Sequence, residues 1–315
     1  MTRFAARRLA AMALVLVAVS FLTFLIFNVI PNGDPAVRMA GRAATDAQIE
    51  AIREDWGFDR GILVQYAETM EKLFTADLVS YFTRDNVVDE IVARSPRTLA
   101  LAVGAAVLWM VGGVAVGMYG AVRAGGRADR AVTALALVAV SVPVFWLAAL
   151  ASHYLGFRLG AFPNGGYVPF AEDPLDWAHH LLLPWAVLAL GIGALYSRIM
   201  RANVLDTLGE DYVRAARAKG ITERRVLSRH VLRNSILPLV SLWGLDFAAV
   251  VGGGAILVES IFDLDGVGQY AASGIDSLDV PVVLGVTLFA AFFIVVLNAI
   301  TDIAQAALDP RVAGE

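Results

Sequence analysis

A carboxylate stranded in an apolar run is the residue of this chain best placed to do chemistry. Asp246 interrupts a stretch from Ile236 to Val258 that is otherwise apolar, small or hydroxylic. An aspartate at mid-bilayer depth costs about 2.5–3.5 kcal/mol, so it must face protein or water. Ala249, Val250 and Gly253 follow it at i+3, i+4 and i+7 and share its helix face. Two readings stay open: a pore-lining acid that meets a cationic group such as an ammonium, or a structural acid paired with a neighbouring subunit. Ser141 and Pro143 interrupt a second apolar run, where proline frees a backbone acceptor and can kink a helix. With Asp246 and Gly253 they form the candidate translocation path, as gate geometry or packing.

Other chemistries find no frame. With no cysteine in the chain, disulfides and thiolate sites are excluded. His179 and His180 are adjacent and cannot share a helix face, so no metal site is expected. Lys72 and Lys219 are the only lysines, and neither stands in a Gly-x-x-x-x-Gly-Lys-Ser/Thr loop. Gly266-x-Gly268-x-x-Ala271 imitates a dinucleotide fingerprint but lacks a preceding strand. No catalytic residue, no cofactor and no nucleic-acid partner is expected, and any ATP hydrolysis must come from another polypeptide.

Positive charge gathers in one place. Residues 198–235 hold nine basic and four acidic side chains, while 259–280 hold five acidic ones and no Lys or Arg. Inside the basic segment, Tyr212, Ala215, Ala216 and Lys219 fall at i, i+3, i+4 and i+7 on one face. Gly220 supplies a left-handed stop, Thr222 can cap a second helix, and Leu237-Pro238 leads onward. The pattern is helix, glycine turn, helix. It suits docking into a groove on another protein, and equally a loop held by anionic headgroups.

The elements that carry these residues are membrane helices. The chain has 315 residues, 58% of them hydrophobic, with a mean hydropathy of +0.66. The excess falls in runs of about 20 residues, long enough to cross a hydrocarbon core. An all-α polytopic protein with six transmembrane helices is expected, at roughly 9–30, 99–122, 131–156, 181–199, 236–258 and 281–305. Strands are excluded because open sheet edges are not tolerated in lipid. Basic and acidic loops alternate, which puts both termini in the cytoplasm. Residues 31–98 read as an external helical subdomain, either a packed loop or a cap facing a partner or the pore mouth. In it, Thr45 to Gln48 form a capping box. Gly57 is a helix stop, and Leu63, Tyr66, Ala67, Met70 and Phe74 form one apolar face. Ser95-Pro96 is expected to open the second membrane helix. The core is 99–305, with a cytoplasmic loop at 200–235 and a tail at 306–315.

The basic segment resembles the coupling loop of ABC-importer permeases, with its Glu-Ala-Ala-x-x-x-Gly pattern followed by Leu-Pro. Here it reads Arg214-Ala215-Ala216-x-x-x-Gly220 and ends in Leu237-Pro238. Arg214 replaces the glutamate, as in the dipeptide/oligopeptide/nickel branch. Pro31-Asn32-Gly33-Asp34-Pro35, Val64-Gln65-Tyr66, Ser141 to Trp146, Val258 to Phe262 and Leu308 to Val312 also resemble that branch, the first with an altered start. The resemblance implies a type I ABC importer permease fold in the plasma membrane of a prokaryote. It also implies a second homologous permease subunit, two cytoplasmic ATP-binding subunits that dock around Tyr212 to Gly220, and an external solute-binding protein. A proton- or cation-coupled transporter or channel acting through Asp246 is the alternative.

Overall fold

The computed structural model describes residues 2–29, 34–41 and 44–308. Pro31-Asn32-Gly33 and the chain beyond Leu308 lie outside the described residues, and with them two ends of the resemblance. Among the described residues the chain is helical without strands, and a lone antiparallel bridge joins Val79 to Asn86. In chain order the helices are α1 (Thr2–Val29), α2 (Pro35–Ala40), α3 (Asp46–Trp56), α4 (Ile62–Phe74) and α5 (Val87–Val122). α6 (Arg127–Ser141) and α7 (Val144–Ala151) follow, the latter extended by a π-helical Ser152–Arg158. Next come α8 (Pro174–Leu208), α9 (Asp211–Ala218), α10 (Glu223–Arg225), a π-helical Val226–Val231 and α11 (Leu232–Ser235). α12 (Leu237–Ala249) runs into a π-helical Val250–Gly254, followed by α13 (Ile256–Ile261), α14 (Val267–Ser277) and α15 (Val280–Leu308).

Among the described residues, four helical stretches are long and apolar enough to cross a membrane: Val87–Val122, Pro174–Leu208, Leu237–Gly254 and Val280–Thr301. A fifth exists if α6 and Val144–Arg158, bent by 97° at their junction, make one broken span. The apolar part of α1, Met12–Asn28, is shorter. The expected third helix is therefore not a gently kinked rod. Val142 is extended (φ −83°, ψ 125°), so α6 stops at Ser141, and Pro143 caps the restart. Ser95-Pro96 is also corrected: both residues lie inside α5. The start is set instead by Asn86, whose Oδ1 accepts from Val88 N at 2.9 Å and Asp89 N at 3.1 Å. The Ser95 hydroxyl turns back to Ile91 O rather than capping.

The chain divides into two compact units. The first comprises Met1–Arg97 and Asp265–Val295. Phe24 of α1 packs with Val280 and Leu284 of α15, and Tyr66, Met70 and Leu73 of α4 close over them. This differs from the expected α4 face: Leu63 and Phe74 point out, Phe74 at 85% exposure. Tyr66, Met70 and Leu73 are the i, i+4, i+7 set that turns inward. Gln48 Oε1 accepts from Thr45 N at 2.9 Å, and Gly57 stops α3 at φ +71°, both as expected. Residues 44–97 are bonded to the later segment of the same unit. Buried Ser80 donates to Asp279 Oδ2 at 2.5 Å, and Arg94 and Arg97 both pair with Asp265.

The second unit comprises Thr98–Leu264 and Val296–Glu315. α8 is its axis, with α6, α7, α11 and α12 against it. α5 also reaches α8: a methyl added at Gly113 would fall 2.5 Å from Tyr196 Cβ, and at Gly117 2.5 Å from Ser197 O. Lipid tails are as apolar as leucine, so such contacts rest on close packing and interhelical hydrogen bonds rather than on transfer from water. The bonds are present. Trp185 Nε1 donates to Ala100 O at 2.9 Å and Trp243 Nε1 to Ala106 O at 3.0 Å.

Candidate functional site

The basic segment folds as a hairpin at the end of α8. α9 carries Tyr212, Arg214, Ala215 and Ala216; Lys219 ends it and Gly220 reverses the chain. Gly220 sits at φ +73°, where a side chain would be strained. Its N–H meets Arg217 O at 2.9 Å and Ile221 N–H meets Ala216 O at 3.3 Å, which closes the last turn. Thr222 occupies the next cap position through its backbone: Thr222 O accepts from Arg225 N and Val226 N, and its hydroxyl makes no cap bond. Arg217 clamps Glu223 across the turn, Nη2 to Oε1 at 2.7 Å and Nε to Oε2 at 3.1 Å. That pairing holds the Glu223 carboxyl below its usual range and raises Arg217. Leu237 opens α12 with Pro238 in its first turn.

The two alanines part company. Val213 and Ala216 are buried, at 0% and 5% exposure, and Val226 and Val231 are buried at 0%. Tyr212, Ala215, Lys219 and Gly220 are exposed, with Arg214, Arg217, Arg224, Arg225 and Arg229 around them. The outer face of α9 therefore presents small residues, Ala215 and Ala218, among arginines, of which Arg214 pairs with Asp211 and Arg217 with Glu223. Ala216 belongs to the inner face, which the i, i+3, i+4 pattern did not separate.

Two polar knots fasten the arms. Asn203 of α8 donates from Nδ2 to Ser235 O at 3.1 Å, while Ser235 Oγ meets Asn203 O at 3.2 Å and Thr207 Oγ1 at 3.0 Å. Nearer the tip, Asn234 Nδ2 reaches Tyr212 Oη at 2.7 Å and His230 O at 2.9 Å. Above both, Arg201 of α8 grips buried Asp129 at the start of α6, Nε to Oδ1 at 2.5 Å and Nη2 to Oδ2 at 2.8 Å. Asp129 also accepts from Gly125 N, which ties the α5–α6 turn to the same arm. The sequence reading passed over Asn203, Thr207 and Ser235. Their signal was there in part, since Asn203 and Thr207 stand at i, i+4 on one face.

Asp246 is half-buried on α12 and accepts a 2.7 Å hydrogen bond at Oδ2 from the hydroxyl of Tyr196, a fully buried residue of α8. Gly253, at φ +131° and ψ −9°, breaks α12 inside its π-helical turn. Ser141 and Pro143 lie elsewhere, exposed at the α6–α7 break, where Ser141 Oγ bonds Leu137 O at 2.8 Å. Of the four residues proposed as a path, Ser141, Pro143 and Gly253 fall on two breaks of helix, while Asp246 lies within α12 and finds its partner in Tyr196. His179 Nε2 and His180 Nδ1 contact different backbone carbonyls, Ala161 O and Asp176 O. Gly268 lies in α14, which a turn rather than a strand precedes.

Comparison with known proteins bears on this geometry. Residues 113–314 match the family described as binding-protein-dependent transport system inner membrane component, and residues 1–102 match its N-terminal counterpart. A putative peptide transport system permease protein of Brucella abortus is 38% identical over 313 residues, covering 99% of both chains. The oligopeptide transport system permease protein AppB of Bacillus subtilis is 33% identical over 302 residues, covering 95% of each. Among solved structures, the MetNI methionine ABC transporter in an inward-facing conformation aligns with a TM-score of 0.58 at 18% identity. That alignment covers 70% of this chain and 96% of the other, and it speaks for the fold alone. The chain belongs to the family of inner-membrane components of binding-protein-dependent transport systems.

Proposed function

We propose that this chain is one of two membrane subunits of an ATP-driven importer for peptides or related small solutes, and that its α8–α12 hairpin is where an ATPase subunit docks. Peptide as the solute class follows the names of the Brucella and Bacillus relatives. The observation that carries the docking role is the hairpin itself. A short helix with exposed alanines among arginines is held on two arms that Asn203, Thr207 and Ser235 lock together.

In this reading α1, the broken α6–α7 pair and the four long stretches make six spans, with both termini and the hairpin in the cytoplasm. ATP binding draws two ATPase subunits together, and each carries a docked α9. Motion of α9 passes through the knots into α8 and α12, which then shift as rigid bodies between inward- and outward-open states. A second permease subunit completes the pore, and an external solute-binding protein delivers the solute. The glycine break at Gly253 and the bend at Pro143 are the places where the spans can flex.

Asp246 lines the path in this reading, with Tyr196 orienting one carboxylate oxygen toward α8 and the other left for a cationic group. Family membership speaks against a proton-coupled transporter. The test is uptake into vesicles that hold the complete complex. Uptake should follow ATP and persist when the proton gradient is collapsed, and an ATPase subunit should co-purify with the chain. Uptake that follows the proton gradient without ATP contradicts the proposal.

A further inference from the structure

A cavity in the first unit takes no part in the hairpin or the Asp246 pair. Its volume is about 320 Å³, at the low end of the ~300–1,000 Å³ usual for small-molecule sites. Four rings line it, and Trp56, Phe58 and Tyr81 form a cluster. Trp56 and Tyr81 meet edge to face at 5.2 Å, Phe58 and Tyr81 at 5.3 Å, and Trp56 lies nearly parallel to Phe58 at 6.4 Å. Gln65 fixes one wall, with Nε2 bound to Phe58 O and Arg60 O and Oε1 accepting from Asn28.

Three carboxylates, Asp55, Glu68 and Asp77, face one ammonium, Lys72. Glu68 is taken by Arg60. The side chains of Asp55 and Asp77 have no hydrogen bond or ion pair among the described residues. Aromatic faces carry negative potential and attract cations, and Trp56 already does so here, with the Arg84 guanidinium 4.7 Å from its ring centre. Free carboxylates beside π faces select a positive charge with an apolar body.

We propose that this cavity binds a small organic monocation, a primary ammonium on a short apolar or aromatic frame, with Asp55 and Asp77 taking the ammonium and the Trp56–Phe58–Tyr81 rings taking the frame. Lys72 repels a second positive charge and so selects against diamines, while it tolerates a carboxylate on the same ligand.

The test is calorimetric titration of the full chain in detergent with phenethylamine, set against its neutral analogue 2-phenylethanol. The amine should bind at least about 10-fold more tightly, because only it gains the ionic contacts. The double substitution Asp55→Asn with Asp77→Asn, exposed and isosteric, should erase that preference, while Glu172→Gln, an exposed carboxylate outside the cavity lining, should leave it. Lys72→Gln should tighten the amine by about 3-fold through loss of a like charge. Equal binding of amine and alcohol overturns the proposal. So does a preference that survives the double substitution, or one that vanishes with Glu172→Gln.

Discussion

The hairpin between α8 and α12 and the break between α6 and α7 both interrupt apolar helices, and they do so by opposite means. At the hairpin the chain turns on Gly220, and side-chain pairs bridge its arms: Arg217 on Glu223, Asn203 on Ser235, Asn234 on Tyr212. At the break, Val142 is extended ahead of Pro143, which caps the next helix, and Ser141 bonds only back into α6. In the proposed mechanism the first interruption transmits force and the second flexes.

The sharpest way to break this contrast is Gly220→Val. A β-branched residue at φ +73° costs about 1–2 kcal/mol or more and cannot hold the reversal. Transport should fall at least about 10-fold while ATP hydrolysis continues, because the lever is slack but the engine runs. Pro143→Ala should act in the other direction, straightening the joint and lowering transport without touching ATPase binding. Transport assays beside ATPase assays separate the two.

Ala216→Leu and Ala215→Leu sharpen the comparison within α9. Overpacking the buried Ala216 site should destabilise the hairpin by about 1–3 kcal/mol, read as a lowered thermal midpoint. Ala215→Leu should leave that midpoint unchanged and weaken ATPase co-purification. Ser235→Ala removes the hydroxyl that links Asn203 and Thr207, and should cost about 1 kcal/mol with a loss of coupling.

The smallest effect is on pH. Arg217 holds the Glu223 carboxyl below its ordinary value, so the pair contributes stability above the unfolded pKa. That contribution is lost as pH falls through the lowered folded value. Both groups are exposed, so the loss should be about 0.5 kcal/mol or less. Glu223→Gln should remove the acid-side dependence of the hairpin's thermal midpoint.

How much of this was legible in the sequence follows the range of the interactions. The hairpin was, because Gly220, Thr222 and Pro238 act on their own neighbours. Asn203 with Ser235 was not, since the pairing spans 32 positions and depends on α8 and α11 lying side by side. The serine–proline pair at 95–96 misled because the same two residues fit a helix start or a helix interior, and Asn86 made the decision nine positions earlier. On α4, Phe74 reads as core by type, yet the turn that packs against Phe24 carries Tyr66, Met70 and Leu73. Pro143 marked a kink, but its 97° depends on where α7 finds room against α8 and α13. Asp246 was found from cost alone; its partner Tyr196, 50 positions away, needed the fold.

The absence of cysteine makes one measurement decisive for the claim that α9 docks on the ATPase. Ala215→Cys places a single thiol on the exposed face of α9, and Ala216→Cys places one on the buried face. In the assembled complex, the thiol at position 215 should cross-link to the ATPase subunit through a short bifunctional maleimide, and the one at 216 should not. If position 215 reacts freely with a soluble maleimide while the ATPase is bound and gives no cross-link, the hairpin is not the docking element and the account fails.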